Sequence, residues 1–343
     1  MNNFFLSLIL IFIAGIFQGT YGLGMKKFSP FSWEAFWVLF SVTGMLIIPL
    51  LWSSIAVTGT MKAIGGTGTN IIAGSMLFGA LWGIGSILFG LAITYIGISL
   101  TYGITMGLAA IMGAVVPLLR IENVTKLPAF PFIMAGIIIM LSGIIVITLA
   151  GIMRDRQMKG KKNVSSDIKT GKYFWFGVFF SIANGIAAAL LNVGFIYAQP
   201  LVKAAADMGN KIQNASLVAW VVVLWGGFLV NGGYATYLLY KNKSYGTLTQ
   251  RGAERGYLSA VITSILWFAA LGIYGQGAAL MGSLGPAAGW TMFLALSLIV
   301  STIWGLISGE WRGISGPKKI LITGNVILIV SWIILGYANS LMN

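Results

Sequence analysis

Long apolar runs separated by short polar breaks fill this chain from end to end, and ten of the runs are long enough to cross a bilayer as helices. They lie near 4–24, 33–56, 70–94, 98–119, 130–152, 172–196, 214–240, 257–276, 285–308 and 318–340. A hydrocarbon core about 30 Å thick takes roughly 20 apolar residues to cross as a helix, and only helices and closed barrels leave no backbone group unpaired there. Barrel strands would alternate polar and apolar residues, whereas these runs are apolar throughout. The pattern predicts an all-α integral membrane protein with ten transmembrane helices.

The breaks carry the charge. All seven acidic residues, Glu34, Glu122, Asp155, Asp167, Asp207, Glu254 and Glu310, lie at or beyond the ends of runs, and the chain has no histidine. The longest polar stretch, Arg154 to Lys172, divides the spans five and five. It predicts a first unit over 1–153, a basic cytoplasmic loop over 154–171 and a second unit over 172–343. Breaks after odd-numbered spans, Lys26-Lys27 among them, hold 16 of the 21 lysines and arginines, and those after even-numbered spans hold 5. Short cytoplasmic loops carry the basic excess, so the odd-numbered breaks are expected on the cytoplasmic side of the membrane and both termini on the outer side. A cysteine at Ser165 would test this: labelling by an impermeant reagent from outside intact cells contradicts it.

Composition refines the picture. The chain is 58% hydrophobic and 8% charged, with 46 glycines. Small residues let membrane helices approach closely, and Gly15/Gly19, Gly79/Gly83 and Gly103/Gly107 have the spacing for it. A net charge of +14 would suit nucleic acid if it gathered on one soluble face, but it is spread over short loops and reads as a topology signal. The absence of cysteine removes thiolate chemistry and cysteine metal sites. Met1 to Thr20 has no basic n-region and no clear cleavage site, so it reads as a retained first helix.

The halves resemble each other faintly. A shift of 185 residues aligns Leu81-Trp82, Gly90 and Gly97 with Leu266-Trp267, Gly275 and Gly282. Five spans per half is an odd number, so a duplication would insert its copies in opposite senses, the inverted-repeat plan of secondary transporters with a midplane site.

The run Phe78-Gly79-Ala80-Leu81-Trp82-Gly83-Ile84-Gly85, continuing through Gly90-Leu91 to Tyr95-Ile96-Gly97-Ile98-Ser99, resembles the third and fourth helices of the bacterial L-rhamnose/proton symporter family, of the drug/metabolite transporter superfamily. Lys26-Lys27 followed by Ser32-Trp33-Glu34, Pro200 after the sixth span and Glu310-Trp311 after the ninth fit the same pattern. The resemblance implies two inverted five-helix repeats that move a sugar inward with a proton. Departures are local. The family pattern has an acid near the start of the ninth helix and a histidine farther along, where this chain reads Gly285-Pro286-Ala287-Ala288-Gly289-Trp290-Thr291-Met292, and Ser86 replaces an asparagine.

A sugar site needs amide or hydroxyl partners for the rim and an aromatic platform for the C–H face. Candidates are Gln18, Tyr21, Trp82, Ser86, Tyr102 and Thr105 from the first half. Asn184, Asn192, Trp267, Tyr274, Gln276, Trp290 and Thr291 come from the second. Asn184/Asn192 and Trp267/Tyr274 each share a helix face. Every amide also fits an interhelical hydrogen bond. Glu34, in the first turn of span 2, fits helix capping or proton coupling near Lys26 and Lys27. Asp207, between Lys203 and Lys211, reads as a solvated face. No cofactor or metal is expected. The leading reading is sugar uptake, most simply of L-rhamnose with protons. A uniporter, a sodium-coupled carrier or an exporter of another small metabolite stays open, and an intramembrane enzyme is disfavoured by the lack of a buried acid, histidine or cysteine.

Overall fold

A computed structural model describes residues 2–26, 28–162 and 171–342; Lys27, and Ser165, Asp167 and Lys169 of the central polar stretch, lie outside them. Every regular element among the described residues is helical. Ten segments have the length and composition to cross a membrane. Spans 1 to 5 are Asn3–Lys26, Trp33–Ala56, Thr69–Ile96, Ile98–Leu118 and Phe130–Met158. Spans 6 to 10 are Lys172–Asp207, Ile212–Lys241, Ala253–Leu280, Gly282–Ile307 and Gly316–Ser340.

Two ends differ from the sequence expectation. The helix of span 5 does not stop at 152 but runs to Lys162, because Met, Arg, Gln and Lys favour helix wherever water can solvate them. Half of the expected loop is therefore helical. Span 6 continues past Tyr197 into a short helix, Gln199–Ala206, with Pro200 in its first turn, where a missing N–H costs nothing.

Span 2 starts where Ser32 accepts a bond from the Ala35 N–H at 3.2 Å, the N-cap arrangement. Ahead of Pro49 its backbone widens into a π-turn, Val42–Ile47, which relieves the clash a proline ring makes with the preceding turn. A second π-turn, Gly285–Gly289, holds Pro286 at the head of span 9.

Spans 3 and 6, 4 and 6, 1 and 8, 1 and 9, 3 and 7, 2 and 8, 2 and 7, 4 and 5, and 9 and 10 pack together, and spans 5 and 10 pack on each other. Span 7 is the most enclosed, with every residue from Leu217 to Leu224 fully buried. It lies so close to span 3 that a Cβ on Gly79 would sit 1.8 Å from the Val223 carbonyl oxygen, and one on Gly226 1.8 Å from that of Met76. Gly15 and Gly19 seat span 1 on Leu296 and Val300 of span 9, and Gly103 meets Thr148. Gly107 faces open space, so its expected packing role fails.

Candidate functional site

A cavity of about 580 Å³ lies between the two halves, walled by spans 1 to 4 and 6 to 9. That volume is in the range of about 300–1,000 Å³ typical of small-molecule sites. In spans 1, 2, 3, 4 and 7 the lining comes from the half nearer the odd-numbered breaks: Gln18 to Met25, Trp33 to Phe40, Trp82 to Ile93, Tyr102 to Ala109 and Asn231 to Leu238. At that end the wall reaches the exposed side chains of Trp33 and Leu91.

Nine of the thirteen candidates line this cavity: Gln18, Tyr21, Trp82, Ser86, Tyr102, Thr105, Asn184, Trp267 and Trp290. Asn184 donates from Nδ2 to Thr105 Oγ1 at 3.0 Å. Gly85 makes the approach possible, since a Cβ there would lie 3.1 Å from Asn184 Oδ1. Gln18 Oε1 is buried and accepts no hydrogen bond among the described residues. A buried amide oxygen without a donor costs roughly 1–3 kcal/mol, so turning the Gln18 amide toward a ligand hydroxyl in the cavity recovers a bond the protein forgoes. The indoles of Trp82 and Trp267 stack on each other, with ring centroids 5.8 Å apart.

Asn192, Tyr274 and Gln276 are placed elsewhere. Asn192 Nδ2 donates to the carbonyl oxygens of Gly113 at 2.9 Å and Pro286 at 2.8 Å, and its Oδ1 accepts from Tyr274 Oη at 2.8 Å. Phe195, Trp220, Tyr274, Trp290 and Phe293 pack around the knot and close the far side of the cavity. Gln276 donates to Asn214 Oδ1 at 3.2 Å near the even-numbered breaks, and Thr291 Oγ1 bonds the Ala287 carbonyl. For Asn192, Tyr274 and Gln276 helix-to-helix bonding prevails over an open face, and Thr291 bonds within its own helix.

Glu34 is 8% exposed and turned away from the cavity. Its Oε1 accepts from Asn242 Nδ2 at 3.0 Å and Ser244 Oγ at 2.6 Å, joining span 2 to the break after span 7. Its expected neighbour Lys26 pairs instead with Glu310 at 2.7 Å, and Arg154 reaches the same carboxylate at 3.5 Å. Lys203 and Asp207 form an exposed pair at 2.7 Å. Among the described residues no cluster of His, Cys, Asp or Glu could hold a metal ion.

Sequence reasoning passed over Trp33, Trp37 and Phe40 of span 2 and Asn231 and Tyr234 of span 7, all on the cavity wall. Two signals for them were present. Trp33, Trp37 and Phe40 recur at i, i+4 and i+7, and Asn231 is an amide deep within an apolar run.

A family model described as "L-rhamnose-proton symport protein (RhaT)" matches residues 1–340. Proteins named L-rhamnose-proton symporter from Cronobacter sakazakii, Shigella dysenteriae serotype 1 and Escherichia coli O1:K1 are 27%, 25% and 25% identical to this chain. Each match runs over 320 residues and covers 91% of both chains.

Proposed function

This chain belongs to the L-rhamnose-proton symport protein family, and on that premise we propose that it carries L-rhamnose inward with a proton by alternating access. It is a multi-pass inner-membrane transporter, not an enzyme. Nothing supports sodium as the coupling ion. The observation that carries the mechanism is the cavity, in which amides and hydroxyls from both halves face an aromatic wall near mid-membrane. Gln18 Oε1 accepts from one sugar hydroxyl, Asn184 and the phenols of Tyr21 and Tyr102 serve others, and the Trp82–Trp267 stack with Trp290 contacts the C–H face.

The two units, 1–153 and 172–343, are inverted repeats in this reading, of the drug/metabolite transporter type. Exchanging the halves turns span pair 3 and 6 into 8 and 1, 4 and 6 into 9 and 1, 3 and 7 into 8 and 2, and 4 and 5 into 9 and 10, all of which pack together. Gly97 and Gly282, matched by the 185-residue shift, both adopt positive φ, at +77° and +65°, where spans 3 and 4 and spans 8 and 9 meet. With the odd-numbered breaks inside, the structure faces the cytoplasm, and both termini are outside. Cysteines at Thr249 and Met208 should then label from inside and outside respectively.

Among the described residues no acid borders the cavity, so coupling is assigned to Glu34, whose bonds to Asn242 and Ser244 tie the halves together beside the mouth. Protonation removes the charge that both donors stabilise. Radiolabelled L-rhamnose uptake into proteoliposomes tests the proposal. Saturable uptake driven by an imposed pH gradient is expected; no saturable uptake under any gradient sinks the sugar assignment, and indifference to the gradient removes the proton.

A further inference from the structure

Five aromatic rings run in unbroken contact along the cavity wall. Trp33 stacks on Trp37 at 5.3 Å and 12°, and Trp37 meets Phe40 at 5.0 Å. Phe40 meets Trp267 at 5.3 Å, and Trp267 stacks on Trp82 at 5.8 Å. All five line the one cavity. Exposure falls from Trp33 at 44% to the buried Phe40 and Trp267, so these rings lead from the mouth inward to the Trp82–Trp267 stack.

Packing alone does not account for its outer end. Trp33 forms no hydrogen bond among the described residues and is the most exposed ring of the five. Trp37 is held in place by a bond from its Nε1 to Asn231 Oδ1 at 3.2 Å. The Asn231 amide is committed to that bond and to the Gly227 carbonyl, at 3.0 Å, while Tyr234 and Leu238 of span 7 continue the wall toward the mouth. A flat apolar surface near the Tyr234 phenol suits a pyranose, with C–H bonds on one face and hydroxyls on its rim.

We propose that the Trp33–Trp37 stack is a second, vestibular sugar subsite, and that the five rings form a track along which the monosaccharide slides between this subsite and the central site. The inference rests on the transport reading above. Translocation needs sites that hold the ligand well enough to enter and weakly enough to leave. Successive aromatic platforms with few polar partners meet that condition, because each ring contact is worth little and the next lies within one sugar's width.

The track serves only one face of the membrane, which makes it separable from a structural role. Half-saturation concentrations for L-rhamnose are to be measured from each face, in right-side-out and inverted vesicles, for the parent chain, Trp33→Leu and Trp33→Tyr. In Trp33→Leu the value at the face of the odd-numbered breaks should rise about two- to ten-fold, the scale of one aromatic contact, with the opposite face unchanged. Trp33→Tyr, which keeps a ring, should behave as the parent. An equal rise at both faces, no rise, or failure of Trp33→Tyr to restore the parent value overturns the track while leaving the transport reading intact. A parent chain without saturable L-rhamnose transport overturns that reading, and the track with it.

Discussion

Trp82 and Trp267, 185 positions apart in the chain, lie nearly parallel, with ring centroids 5.8 Å apart and planes 18° from each other. One belongs to span 3 and the other to span 8, so the stack joins the first five spans to the last five near the middle of both helices. Each indole is also anchored outside the pair, Trp82 against the Gly227 backbone and Trp267 against Phe40.

Removal of either ring opens the centre of the cavity and frees the other. Trp82→Ala and Trp267→Ala should each lower the initial rate of L-rhamnose uptake at least about ten-fold, equivalent to about 1.4 kcal/mol. The Phe variants should retain more. Near-parent uptake by both Ala variants would move the sugar away from this stack.

Gln18 and Asn192 should separate binding from stability. Gln18→Ala takes away an unpaired acceptor on the cavity wall and should weaken L-rhamnose binding without lowering thermal stability. Asn192→Ala strands the Pro286 carbonyl and the Tyr274 hydroxyl, and should destabilise the fold by about 1–3 kcal/mol while the affinity of the folded fraction stays near the parent value. Equilibrium binding and thermal unfolding in detergent would read both effects; the reverse pattern would exchange their roles.

Glu34→Gln keeps the side chain's shape and removes its charge. If Glu34 carries the coupling proton, sugar exchange at equal concentrations should continue, but a pH gradient should no longer drive accumulation. Accumulation that persists in Glu34→Gln would limit Glu34 to holding span 2 against Asn242 and Ser244.

Glycine contacts give a prediction independent of transport. A methyl group at Gly79 meets the Val223 carbonyl oxygen, so Gly79→Ala must push spans 3 and 7 apart and should cost about 1–3 kcal/mol. Gly107→Ala meets nothing and should leave thermal stability unchanged. Equal melting temperatures for the two variants would contradict the close approach.

The chain's pattern by itself determined the number of spans, their approximate ends and the character of the breaks. Those features follow from the cost of leaving charge or unpaired backbone in hydrocarbon, a cost paid residue by residue. It also picked out nine cavity-lining residues by chemical type, since an amide or phenol inside an apolar run is conspicuous wherever it points. What it could not determine was facing. In water a helix shows its buried side by the period of its apolar residues, but lipid and protein interior are both apolar, so a span can be hydrophobic all round and still have one working face. Hence Trp33, Trp37 and Phe40 read as ordinary membrane aromatics until the tertiary structure set span 2 against spans 7 and 8. For the same reason Asn184 and Asn192, on one face of one helix, have different surroundings: one borders the cavity, and the other is claimed by Gly113, Pro286 and Tyr274 from three neighbouring segments.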